Sequence, residues 1–165
     1  MEKKLIYIII FLLISKISFA EEISGNANII DGDSIKIGSK KIRLFGIDAP
    51  EIKQKCKKIY FSISFIIFQK NYDCGLNSKR ALEKKINKKR ISCRTRSKDR
   101  YGRILAICYL EKKDLNMWMV QSGNAIAYKR YSKRYLTQEN EAKKKKIGLW
   151  SGTFLEPEKW RRKYK

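Results

Sequence analysis

Three carboxylates in this chain follow predicted strand ends, where they can share one small site. Asp33 lies in a turn after a first apolar run, and Asp48 and Glu51 flank the Ala-Pro pair that ends a third strand. The ends of strands in a small meander can be adjacent, and hard cations such as Ca²⁺ take carboxylate and carbonyl oxygens as ligands. A cation there can hold a phosphate oxygen, while a neighbouring acid orients or deprotonates a water molecule.

Two arginines are candidates for the same site. Arg43 lies in the third predicted strand, and Arg103 follows a turn over residues 97–102. A guanidinium group is permanently charged and binds phosphate through two parallel hydrogen bonds. Taken singly, each feature also has an ordinary explanation, because aspartate is common in turns and Arg43 alternates with apolar residues as a solvent-facing side chain does.

The chain contains no histidine, which excludes Ser-His-Asp catalysis and every hydrolase that needs imidazole as base, acid or ligand. It has four cysteines, Cys56, Cys74, Cys93 and Cys108. An even number of cysteines in an exported chain favours disulfides, and four cysteines allow three pairings. We expect the sequence-local pairs Cys56–Cys74 and Cys93–Cys108, which would leave no thiol nucleophile.

The first twenty residues have the pattern of a secretory signal peptide. Lys3 and Lys4 precede the apolar run Leu5 to Ile14, and Ser18-Phe19-Ala20 forms a small-x-small cleavage signal. The apolar run is too short to span a bilayer, although an uncleaved N-terminal anchor is the alternative. We therefore expect residues 1–20 to direct export, and residues 21–165 to form one domain in a secreted or periplasmic protein.

The charge of the chain favours polyanionic partners. The formal net charge is +23, and it falls to +21 once a signal peptide with three lysines and one glutamate is removed. Such an excess raises the local concentration of polyanions, of which nucleic acid is the first candidate and an anionic membrane the second. An AT-rich coding bias, which increases lysine and isoleucine together, is the alternative explanation.

Hydrophobic periodicity predicts a mainly β fold with helices, of the α+β class. The predicted elements are three short strands within 27–48, a helix over 75–89, strands over 90–96 and 103–110, a helix starting at Asp114, a short strand over 125–128 and a basic helix over 136–147. Five strands with a helix after the third, and three helices in all, are the layout of an OB-type barrel. The apolar segment 57–73 is expected to be a surface excursion closed by a disulfide, and residues 153–165 a charged tail.

Six motifs in order resemble the staphylococcal nuclease family over about residues 27–152. They are Ile30-Asp31-Gly32-Asp33-Ser34, Ile42-Arg43-Leu44, Gly46-Ile47-Asp48-Ala49-Pro50-Glu51, Asp99-Arg100-Tyr101-Gly102-Arg103, Glu141-Ala142-Lys143 and Gly148-Leu149-Trp150-Ser151. Ordered motifs at compatible spacing are far more specific than any one of them alone. The resemblance implies an OB-fold barrel with three helices and cleavage of DNA and RNA with little sequence preference.

The resemblance also implies roles for individual residues. One calcium ion would be bound by Asp33, Asp48 and the backbone carbonyl of Ala49, where many relatives have threonine. Glu51 matches the glutamate that positions or activates the attacking water.

Arg43 and Arg103 match the two arginines that hold the phosphate. Tyr128 and Tyr131 can stack a base near this site, or they can simply pack against the barrel. We expect no stable protein partner and a monomeric enzyme.

Three hypotheses follow for the function of the chain. The first is an exported calcium-dependent nuclease acting on DNA or RNA, and the second is a non-catalytic OB-fold module that binds nucleic acid. The third is a membrane-active cationic protein that uses residues 59–68 as an apolar wedge. Because the five catalytic and metal-binding side chains are all present, the sequence favours the first hypothesis over the second.

Overall fold

The computed structural model describes residues 21–164 of the chain, so the predicted signal peptide lies outside the described residues. The strands are β1 (Glu22–Ile29), β2 (Ser34–Ile37), β3 (Lys40–Leu44), β4 (Ile47–Asp48), β5 (Cys56–Ile63), β6 (Ile66–Tyr72), β7 (Arg90–Lys98), β8 (Ile104–Leu110), β9 (Lys113–Asp114), β10 (Ile126–Ala127) and β11 (Gly152–Thr153). The helices are α1 (Cys74–Ile86), α2 (Leu115–Gln121), α3 (Leu136–Lys144) and α4 (Pro157–Tyr164), with a 3₁₀ turn at Gly148–Ser151.

Strands β1, β2, β3, β7 and β8 form a closed barrel. The sheet runs β3-β2-β1-β7-β8-β9, and a parallel pairing of β3 with β8 closes it. Alternating burial along β1, β2 and β3 places isoleucines inside, as the period of a half-buried strand requires. The predicted five-stranded OB-type barrel is therefore confirmed.

The predicted number of helices was too low, because the described residues contain four α-helices rather than three. The additional helix is α4, within the segment interpreted as a charged tail. Pro157 suits the first turn of a helix because its missing N–H has no intrahelical partner there. The sequence interpretation considered only the charge of this segment and so missed the helix start at Pro157.

The segment between Cys56 and Cys74 is a β-hairpin. Strands β5 and β6 pair antiparallel with a bulge between Ile59 and Phe61, and β11 adds a third strand along β5. The Cys56–Cys74 disulfide closes the base of this hairpin, and Cys93–Cys108 joins β7 to β8 inside the barrel. Both expected pairings are confirmed.

The main core fills the barrel and the space under α1, α2 and α3. Its fully buried members include Ile42, Ile47, Leu82 and Met119. A second, smaller cluster joins the Cys56–Cys74 disulfide to the C-terminal segment around Leu149. Within residues 21–164, no helix has the length and apolarity needed to cross a membrane.

Candidate active site

A basic cleft opens at the side of the barrel where β3, β4 and the turn after β7 meet. Its volume is about 1010 Å³. Eight lysines and arginines but only four acids line it, so its walls favour an anionic ligand. The charged lining residues are Lys41, Arg43, Lys98, Arg100, Arg103, Arg130, Arg161, Arg162, Asp31, Glu51, Asp99 and Glu158.

Asp33 immediately precedes β2, and both of its carboxylate oxygens accept hydrogen bonds. Its side chain is 4% exposed, and Oδ2 accepts a hydrogen bond from the backbone N–H of Ala49 at 3.0 Å. The Ser34 hydroxyl donates to Oδ1 at 2.9 Å. The turn lies tightly on α1, because a Cβ at Gly32 would overlap the Ser78 side chain. These contacts join the turn before β2 to the end of β4.

Arg43 links the two buried aspartates. Its Nη1 donates to Asp33 Oδ1 and its Nη2 to Asp48 Oδ1, each at 2.8 Å. Burial alone would lower the pKa of Arg43, but the charges of the two carboxylates raise it above its ordinary value. Burial and the charge of Asp33 raise the pKa of Asp48, although the neighbouring arginines oppose that shift.

Glu51 lies in the loop after β4, at the edge of the same cluster. Its backbone N–H donates to Gln54 Oε1 at 3.2 Å, and its carbonyl lies so close to Gly75 that a Cβ there would overlap it. The fully buried Gln54 also donates from Nε2 to the carbonyl of Leu155 at 2.6 Å. Gln54 thereby couples the Glu51 loop to the chain that enters α4.

Arg161 of α4 is the site residue that sequence reasoning missed. Its guanidinium donates to both oxygens of Asp48 at 3.0 Å and to Glu51 Oε1 at 3.1 Å. Burial would lower the pKa of Arg161, but its hydrogen bonds and ion pairs with the two acids raise it. The sequence does signal a helix start at Pro157. It does not show which face of that helix contacts Asp48, a residue more than one hundred positions earlier in the chain.

Arg103 lines the cleft but is hydrogen-bonded to a different acid. Its Nε donates to Asp99 Oδ2 at 2.8 Å, and the Asp99 carboxylate also accepts from the backbone of Tyr101. Burial would raise the pKa of Asp99, but hydrogen bonds from Arg103 and Tyr101 lower it. Within residues 21–164 the Arg103 side chain makes no hydrogen bond to Asp33 or Asp48, and it lines the cleft beside Asp99.

Tyr128 and Tyr131 both line the cleft beside Arg43. Their rings meet edge to face at 4.8 Å, and the Arg43 guanidinium lies 5.9 Å from the Tyr128 centroid. Tyr131 is 60% exposed, which leaves its ring accessible for stacking.

Asp31, which is half-buried in the same turn as Asp33, is a further acid of the site. Asp31 accepts a hydrogen bond from the backbone N–H of Asp33 at 2.9 Å. Burial and the charge of Asp33 raise the pKa of Asp31 to about 7. Asp31, Asp33 and Asp48 thus concentrate negative charge behind a basic cleft, an arrangement suited to a cation that faces an anionic substrate.

Residues 41–152 match the family described as staphylococcal nuclease homologue, a range that contains five of the six motifs complete and nearly all of the barrel after β2. The chain belongs to the staphylococcal nuclease family. An uncharacterized endonuclease of Haemophilus influenzae is 34% identical over 166 residues, covering 96% of this chain and 83% of that protein.

Two further relatives carry names of different kinds. The succinoglycan biosynthesis protein ExoI of Rhizobium meliloti is 34% identical over 79% of this chain and 66% of its own length. A micrococcal nuclease of Shigella flexneri is 29% identical over 93% of this chain and 88% of its own length. This member of the staphylococcal nuclease family is thus similar over most of its length to proteins named as nucleases.

Proposed function

We propose that this protein is an exported, calcium-dependent nuclease that hydrolyses phosphodiester bonds of DNA or RNA with little sequence preference. The observation that carries the proposal is the grouping of Asp33, Asp48 and Glu51 with Arg43 beside a basic cleft. Nuclease names among the relatives support the same reaction.

The donor set fits one calcium ion. Two carboxylates, Asp33 and Asp48, converge on Arg43 with side-chain exposures of 4% and 0%, and the Ala49 backbone is hydrogen-bonded to Asp33. Within residues 21–164 no group of three or more acidic, cysteine or histidine side chains is close enough to hold a metal alone. We assign Asp33, Asp48 and the Ala49 carbonyl as the protein ligands of the ion, with water and phosphate as further oxygen ligands. Calcium would supply positive charge that stabilises the phosphorane-like transition state.

The remaining chemistry is assigned to side chains of this chain. Glu51 takes a proton from a water molecule while the oxygen of that water bonds to phosphorus. The bond from phosphorus to the leaving oxygen breaks, and solvent in the open cleft protonates the leaving oxygen. Arg43 and Arg103, which both line the cleft, bind the non-bridging phosphate oxygens. Tyr128 and Tyr131 offer ring faces on which an adjacent base stacks.

Export is part of the proposal. Two disulfides favour an oxidising compartment, and four disulfide-bonded cysteines leave no free thiol in the described fold. The protein would act as a monomer in the periplasm or outside the cell.

One observation favours the second candidate function, a module that binds nucleic acid without cleaving it. Asp48 and Glu51 are both engaged by Arg161, and an acid held by an arginine is a poor ligand or base. In that case the basic cleft would bind nucleic-acid strands, and the acids would only stabilise the fold.

The two candidates separate in a single experiment. Purified residues 21–165 are incubated with plasmid DNA and with RNA, in calcium and in chelator. The nuclease proposal predicts cleavage in calcium that chelator abolishes. Binding of DNA without cleavage at any calcium concentration would overturn it in favour of the binding module.

A further inference from the structure

The β5–β6 hairpin carries an apolar face that the described chain leaves uncovered. Its register places Phe61 opposite Phe68 and Ile63 opposite Ile66, so the four side chains share one face. They are 49% to 56% exposed, and the two phenylalanine rings lie 6.2 Å apart. Phe65 at the tip is 89% exposed. A contiguous apolar patch of this kind marks an interaction surface.

The hairpin is firmly attached at its base. The Cys56–Cys74 disulfide joins its first strand to the start of α1, and Lys57 and Lys58 pair with β11. From Lys58 to the tip, extended strands span roughly 20 Å at about 3.3 Å per residue. The apolar tip is therefore held away from the barrel by a fixed element. None of its residues lines the basic cleft.

The charges around the hairpin indicate what kind of partner binds its apolar face. Residues 52–72 contain five lysines and no acid, and all five are exposed: Lys53, Lys55, Lys57, Lys58 and Lys70. These lysines lie toward the base of the hairpin, while the apolar residues lie toward its tip. An anionic bilayer fits this order, because apolar side chains enter the acyl boundary and lysines meet the lipid phosphates.

A second copy of the chain fits the surface less well. A symmetric dimer through this face would bring two sets of five lysines together with no acid of the hairpin to neutralise them. Like charges opposed across an interface repel one another. We propose that the β5–β6 hairpin inserts its apolar tip into anionic lipid surfaces and holds the protein there with the cleft accessible.

The test uses residues 21–165, which contain the whole described fold without the predicted signal peptide. Vesicles of phosphatidylcholine alone and of phosphatidylcholine with phosphatidylglycerol are sedimented with the protein. We expect binding to the mixed vesicles only. The double substitution Phe65→Ser with Ile66→Ser should lower the partition coefficient by about tenfold or more, because it removes two large apolar groups and no charge. Ile147→Ser, at an apolar position that is 38% exposed elsewhere, is the matched control and should change little.

A second measurement reports insertion directly. Phe65→Trp should show fluorescence quenched by lipids brominated on the acyl chain, whereas Ile147→Trp should not. Equal vesicle binding by the double variant and the parent would mean that charge alone holds the protein, which overturns the proposal. A dimer in sedimentation that Phe65→Ser dissolves, without lipid binding by the parent, would overturn it in favour of a second copy. Cleavage of free DNA should be the same in all these variants as in the parent. If the parent protein does not cleave DNA at all, that result counts against the proposed function and leaves the lipid-binding proposal standing.

Discussion

Replacing Arg161 by glutamine is expected to tighten calcium binding. The guanidinium occupies both oxygens of Asp48 at 3.0 Å and one of Glu51 at 3.1 Å, so a calcium ion at the proposed site would have to displace these hydrogen bonds to reach Asp48. Hydrogen bonds to charged groups contribute about 1.5–3 kcal/mol. The lower end applies because the Arg161 side chain is 23% exposed and partly screened by solvent. A difference of about 1.5 kcal/mol corresponds to a calcium Kd about tenfold lower.

The same substitution should destabilise the calcium-free protein. It leaves the buried Asp48 with Arg43 as its remaining cationic partner among residues 21–164, and removing one member of a buried ion pair is destabilising. The thermal midpoint should therefore fall without calcium and rise more steeply than that of the parent when calcium is added.

Calorimetric titration of calcium into matched variants tests this reasoning. Arg162→Gln is the control, since Arg162 lies on the same helix, carries the same charge, is 70% exposed and pairs with Glu158. Its calcium Kd should change by about twofold at most, because exposed charges are screened. If Arg161→Gln binds calcium no more tightly than Arg162→Gln, then Arg161 does not compete with the ion and the contact is purely structural.

Three further outcomes are expected. Asp33→Asn should abolish calcium binding and DNA cleavage together while retaining part of the hydrogen bonding, and calcium-dependent cleavage by this variant would remove Asp33 from the metal site. Arg43→Lys should lose both activity and thermal stability because it breaks a bridge between two buried acids, whereas Arg103→Lys should lose activity with little change in the melting midpoint. Thiol titration of the denatured, unreduced protein should find no free cysteine, and any reactive thiol would contradict the paired arrangement.

The barrel and its acid turns were predictable because their signals are local. Alternation along β2 and β3 fixes which side chains face inward, and the turns that carry Asp33 and Asp48 follow directly from the strand ends. The pairing of Ser34 with Arg43 then brings the arginine level with Asp33. Local sequence patterns thus account for most of the grouping of Asp33, Asp48 and Arg43.

Two features were beyond local pattern. Between Ile59 and Phe68 the hairpin has apolar residues that do not alternate regularly with polar ones and whose described large side chains are exposed, so periodicity assigned the segment no secondary structure. The Arg161 contact depends on how α4 docks, and Gln54 fixes that docking through a hydrogen bond to Leu155. No sequence spacing encodes a contact of this separation.

The central claim is that Glu51 removes a proton from water during phosphodiester hydrolysis, and single-turnover cleavage by Glu51→Gln tests it most directly. The substitution keeps the size of the side chain but removes its basicity, and a general base typically contributes about 10²–10⁴-fold to the rate. We predict a slowing of that order with calcium and DNA affinities close to those of the parent, and no slowing in Glu141→Gln, an exposed glutamate on α3. Cleavage by Glu51→Gln at the parental rate would contradict the assignment of this carboxylate and of the site around it.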